Sequence, residues 1–99
     1  MIDLERIVGF DWDPGNARKN DRHGVSQSEA EQVFFDPRLL MVADPAHSAD
    51  ETRFHALGQT IDGRHLHITF TLRMSATRIR VISARDMHRK ERTFYDRKD

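Results

Sequence analysis

Ninety-nine residues make one domain with a single core. Cysteine is absent, which removes disulfides and thiolate metal sites, and sixteen acidic residues balance sixteen basic ones, so total charge does not mark a strongly basic nucleic-acid binder. No apolar run approaches a membrane span and no signal peptide opens the chain, so a soluble, cytoplasmic protein is expected. The cations are nevertheless uneven: from Arg73 onward Arg and Lys outnumber Asp and Glu, while the first two thirds of the chain are acidic.

Ile7 to Trp12 alternates weakly and reads as a short strand. Asp13-Pro14 has the chemistry of a helix start, because aspartate accepts orphan N–H groups and proline fits the first helical position. A helix from Pro14 to about Arg22 follows, ended by Gly24. Ser26 to Glu29 matches a capping box for a second helix, with Val25 and Ala30 placed as a hydrophobic staple and Asp36-Pro37 as the stop.

Leu39 to Ala43 is an apolar run read as a strand, closed by Asp44-Pro45. After the loop His47 to Glu51, a strand is expected from about Thr52 to Thr60, then a turn at Asp62-Gly63. His65 to Arg73 alternates cleanly: Leu66, Ile68, Phe70 and Leu72 share one face, and His65, His67, Thr69, Thr71 and Arg73 the other. A turn near Met74 to Ala76 leads to a last strand over Thr77 to Ser83, with Ile79 and Val81 on the apolar side. Ser83 to Asp86 matches another capping box, which predicts a final helix to about Tyr95. Its apolar stripe, Met87, Phe94 and Tyr95, is thin, so loose packing or a waiting partner is expected. This order indicates one α+β domain over residues 1–99: a helix hairpin and a C-terminal helix around a mainly antiparallel sheet.

The polar sheet face carries Arg53 and His55 on one strand, His65, His67 and Arg73 on the next, and Arg78 and Arg80 on the last. Arginine's planar fork matches phosphate oxygens. Single-stranded RNA suits such a surface, since its phosphates give affinity and its 2′-hydroxyl is a built-in nucleophile. The same residues also fit a solvated face whose arginines pair with acids. His65 and His67 have the spacing of a metal pair with His55 as a third ligand, but no carboxylate completes the set, so no metal is expected. His23, just before Gly24, fits either a helix C-cap or an imidazolium favoured by the helix dipole. Trp12 and the Phe34-Phe35 pair read as core. No P-loop, nucleophile elbow, dinucleotide fingerprint or zinc-finger spacing is present, so no cofactor is expected and any chemistry is acid–base and electrostatic.

Several segments in order, "FDWD", "HGVS" with "EAEQVFFDP", "DPAHSADETRFHALGQT", "FTLR" and "IRVISARDMHRKERTFY", together resemble the BrnT toxins over about Val8 to Tyr95. The resemblance implies a RelE-like fold and an endoribonuclease of a type II toxin–antitoxin system that cleaves cellular RNA and slows growth. It implies a BrnA-like antitoxin as partner, with promoter DNA bound only through that antitoxin. Catalytic candidates are then His23, Glu51, Arg53, Arg73 and Arg80, with the arginines as charge stabilisers and His23 or Glu51 as proton carrier. RNA-binding candidates are Lys19, His65, His67, Arg78 and Arg85. The chain departs from the family at Asn16, where many members have lysine, and at Arg22, where lysine usually precedes the histidine. Competing readings are a non-catalytic nucleic-acid-associated module and a histidine-based metal-binding protein.

Overall fold

The computed structural model describes residues 2–47 and 51–97; part of the loop expected before the third strand lies outside them. A 3₁₀ turn, Leu4–Arg6, precedes β1 (Gly9–Phe10), α1 (Pro14–Asp21) and α2 (Gln27–Val33). Then come β2 (Leu40–Asp44), a 3₁₀ turn Pro45–His47, β3 (Arg53–Gln59), β4 (His65–Arg73), β5 (Arg78–Asp86) and α3 (Arg89–Arg97). The five strands form one sheet in the order β1-β5-β4-β3-β2. β2 to β5 are an antiparallel meander, and β1 pairs with β5 in parallel. The architecture is α+β.

The helix hairpin forms from its local chemistry. The Asp13 carboxylate accepts the N–H groups of Gly15 and Asn16. Gly24 sits at φ +66°, and both halves of the Ser26–Glu29 capping box are made. Val25, Ala30 and Val33 are fully buried against Ala56, Leu66, Ile68, Phe70, Ile79 and Val81. The α2–β3 approach is close: a side chain at Gly58 would meet Val33 Cγ1 at 2.8 Å. Asn16 is buried and ties α1 to the sheet, since its Nδ2 donates to the Asp11 and Val81 carbonyls at 3.0 Å each and its Oδ1 accepts the Asp13 N–H. A lysine there has no acceptor for the Asp13 N–H.

Several expectations change. The first strand is only Gly9–Phe10, because Val8 and Asp11 bond to Thr77 and Ile79 at its ends and the chain then turns into α1. Ser83 to Asp86 does not open a helix but completes β5, where Ala84 is buried opposite Ile68. A β-bulge makes this possible: Thr69 faces Ser83 but Phe70 faces Val81, so Ile82 is the extra residue and Ala84 returns to the core side. α3 starts later, where the Glu91 carboxylate accepts the His88 N–H.

α3 also does not pack loosely. Tyr95 is 1% exposed, its hydroxyl donates to Asp36, its ring lies against the edge of His65, and Arg38 sits over it at 5.1 Å. The helix lies on the polar face of the sheet and covers the end that carries His65 and His67. Finally, Phe34 is core, but Phe35 is 78% exposed.

Candidate active site

Strand register sets the uncovered part of the polar face. Arg53 is opposite Asp44 on β2, Thr71 is opposite Arg80, and Arg73 is opposite Arg78. The Thr71 hydroxyl donates to the Thr52 carbonyl at 2.7 Å, which locks β3 to β4 beside Arg53. Arg73 pairs with Glu51 at 3.1 Å. Arg80 reaches over the sheet edge to Asp13 at 2.8 Å and Asp11 at 3.5 Å. The Asn16 backbone N–H, and then Arg80, hold the Asp13 carboxyl below the usual carboxylate range. Four arginines from three strands thus share one end of the face, one braced by Glu51 and one drawn toward α1.

Beside this band stands His55, two residues from Arg53 on the same face of β3. Its Nε2 lies 2.7 Å from the Asp44 carboxylate, and its Nδ1 lies 3.1 Å from the Thr69 hydroxyl. Both nitrogens therefore have a fixed partner, one anionic and one hydroxylic, which orients the ring. The ring packs on His67 at 4.8 Å. Burial, then the charge of Arg85, pushes the His67 imidazole down to about 4, so it is neutral at pH 7. Its Nδ1 is buried without a hydrogen-bond partner. Arg85 grips Glu91 of α3 through two bonds of 2.8 and 2.9 Å. Burial raises the Glu91 carboxyl, but the Arg85 bonds and the His88 N–H prevail and bring it to about 2. A groove of about 550 Å³ runs from His55 and His67 past Leu40, Val42, Leu57 and Phe94.

The residues expected from sequence divide among several places. Glu51, Arg53, Arg73, Arg78 and Arg80 come together. His65, His67 and Arg85 lie on the same face but under α3. Lys19 is exposed on α1, beside a hollow with Arg18 and Arg22. His23 is on the α1–α2 turn, where its carbonyl and that of Gly24 accept from Arg64, which also pairs with Asp86 and Glu29. That corner is at the opposite end of β4 from Arg73, roughly 25 Å away at ordinary strand rise. Asn16 and Asp44 carry roles that sequence reasoning missed. No local signal announces Asp44: it meets His55 only through the β2–β3 register. Among the described residues no group of three or more His, Asp or Glu side chains is placed to hold a metal ion.

A small α+β domain that places four arginines at one end of a sheet face, beside a carboxylate-held histidine, has side chains of the kinds that polyanion binding and proton transfer use. No helix among the described residues is long and apolar enough to cross a membrane. No curated protein matches the chain. A family model does, over residues 12–91, and its description is "Ribonuclease toxin, BrnT, of type II toxin-antitoxin system". The chain belongs to the BrnT family of ribonuclease toxins.

Proposed function

We propose that the chain is a metal-independent endoribonuclease of RelE-like architecture that cleaves cellular RNA in the cytoplasm, inhibits growth and is neutralised by a BrnA-like antitoxin. Promoter DNA is reached only through that antitoxin. The observation that carries this reading is His55, fixed between Asp44 and Thr69 and two residues from Arg53 on the same face of β3, with the Glu51-braced Arg73 further along β4.

With Asp44 accepting the Nε2 proton, the lone pair is on Nδ1. A substrate 2′-hydroxyl replaces the Thr69 hydroxyl there and gives up its proton as its oxygen attacks the adjacent phosphorus. The P–O bond to the next ribose breaks, and its 5′-oxygen leaves as a hydroxyl by taking a proton from water, while the proton of the 2′-hydroxyl rests on Nδ1 of His55. Arg53 and Arg73 hold the charge on the phosphoryl oxygens and, being always protonated, take no part in proton transfer. His23 is too distant to serve the same phosphate.

The test is cleavage of RNA in EDTA, with product ends mapped by mass spectrometry. Cyclic or 3′-phosphates with 5′-hydroxyls are expected; 3′-hydroxyl ends sink the mechanism. His55→Ala is expected to lose about a hundred- to ten-thousandfold in rate. Arg73→Ala is expected to lose about a hundredfold, as for one preorganised charge stabiliser. Arg89→Ala, on the outer helix, is expected to cleave normally. A fully active His55→Ala would move the site elsewhere.

A further inference from the structure

Among the described residues, no strand pairs with the outer edge of β2. β2 ends the sheet, so alternate residues of Leu40–Asp44 turn their N–H and C=O groups outward. Edge strands of soluble proteins are ordinarily blunted by lysine, proline or a bulge. Leu40 to Ala43 has no charge and no proline, its ladder with β3 is regular, and Val42 is 56% exposed. A hollow flanks the edge on each face. On the core side, Ile2, Met41, Ala43 and Phe54 line about 370 Å³. On the polar side is the groove of about 550 Å³, where Leu40, Val42, Leu57 and the half-exposed Phe94 lead to His55.

A strand added to β2 would send successive side chains to opposite faces, and so to the two hollows in turn. We propose that β2 is the docking edge for an extended segment of the antitoxin, which joins the sheet as an added strand; this rests on the reading of the chain as an antitoxin-neutralised ribonuclease. The hollows define the segment: apolar on both faces, with its larger side chains toward Phe94 and Leu57. A second copy of this chain fits less well. Paired antiparallel about Val42, its β2 would bring Asp44 against Leu40, and that carboxylate is held by His55. The seat also accounts for neutralisation, because an occupant of the groove lies over His55 and clamps the strand whose Asp44 orients it.

The test uses the full chain, the product of the neighbouring reading frame and Val42→Lys, a change at an exposed position that blunts the edge. Val42→Lys is expected to bind the antitoxin at least about tenfold more weakly. In the wild-type complex, hydrogen exchange is expected to slow at the amides of Leu40–Asp44. Wild-type affinity of Val42→Lys together with unprotected β2 amides would overturn the proposal. Loss of cleavage with antitoxin binding intact would assign the groove to RNA and overturn it too. So would β2 amides protected by self-association of the toxin alone. If the wild-type chain binds no neighbouring product yet cleaves RNA, the antitoxin reading itself fails, and that result is distinct from an altered Val42 variant.

Discussion

His67 shows what burial of one titratable side chain does to this protein. The ring is enclosed by His55, Arg85, His88 and Glu91, and its folded value near 4 lies below the 6.5 of an unperturbed imidazole. A folded value below the unfolded one means that the neutral ring stabilises the fold fully above about pH 6.5. That contribution is lost as pH falls toward 4. The shift corresponds to at most about 3 kcal/mol. Denaturant unfolding of wild type is therefore expected to weaken between pH 6.5 and 4, and His67→Leu is expected to flatten that segment. The same substitution removes the orphaned Nδ1, so at pH 7 it is expected to be neutral or slightly stabilising. An identical slope in both proteins would show that the loss arises elsewhere. Glu91 and Asp36 act in a lower window: their carboxyls are depressed in the folded state, so their contribution is present above the ordinary carboxylate range and lost below it.

At the scale of the element, α3 is held by a few long-range bonds. Asp36 accepts the Arg38 and Gln59 N–H groups and the Tyr95 hydroxyl at the end of α2. Burial and Asp36 together raise the Tyr95 hydroxyl to about 12, so the bond survives to high pH. Tyr95→Phe keeps the ring on His65 but leaves Asp36 one donor short, at a cost of about 1–2 kcal/mol. Amides of α3 are expected to exchange faster in that variant, while those of β4 stay protected. The β4–β5 turn stores strain instead. Met74, Ser75 and Ala76 all have φ between 53° and 65°, the left-handed region that residues with a Cβ resist. Ala76→Gly is expected to raise stability by about 1 kcal/mol, measured as an upward shift in the urea midpoint. The turn joins Arg73 to Arg78, so it also fixes the spacing of two phosphate-binding candidates.

For the whole molecule, zero net charge leaves no general attraction to RNA, so affinity must come from the local arginine band. If Arg53, Arg73 and Arg78 each meet a phosphate, the logarithm of affinity for single-stranded RNA is expected to fall with the logarithm of salt concentration with a slope of about −2. In a His55→Ala background, which binds without cutting, Arg73→Ala is expected to make that slope shallower by about 0.7, whereas Arg22→Ala at the α1–α2 corner leaves it unchanged. Fluorescence anisotropy at several salt concentrations reads both. A larger change from Arg22 would shift the RNA track to the helix hairpin.

The amino-acid sequence by itself determined the helix hairpin, the alternation of β4, the α+β class and the family. Each of these is written in neighbours: Asp13 before Pro14, Ser26 three residues before Glu29, apolar side chains at every second position, motifs in a set order. Only the tertiary structure decided the rest. Ser83 to Asp86 offers a helix cap by local rules, yet burial of Ala84 opposite Ile68 holds it in a strand. The histidine-bearing face looked open, but Tyr95 reaches an aspartate 59 residues away and brings α3 down over His65, His67 and Arg85. His23 and Arg73 both carry suitable chemistry, and β4 keeps them at opposite ends. His55 finds Asp44 because β2 pairs with β3 in one register among several that its apolar run would allow. Capping and periodicity are settled within a few residues of chain. Which face a helix covers and which side chains meet across strands depend on burial summed over the whole core, and no short stretch of sequence contains that sum.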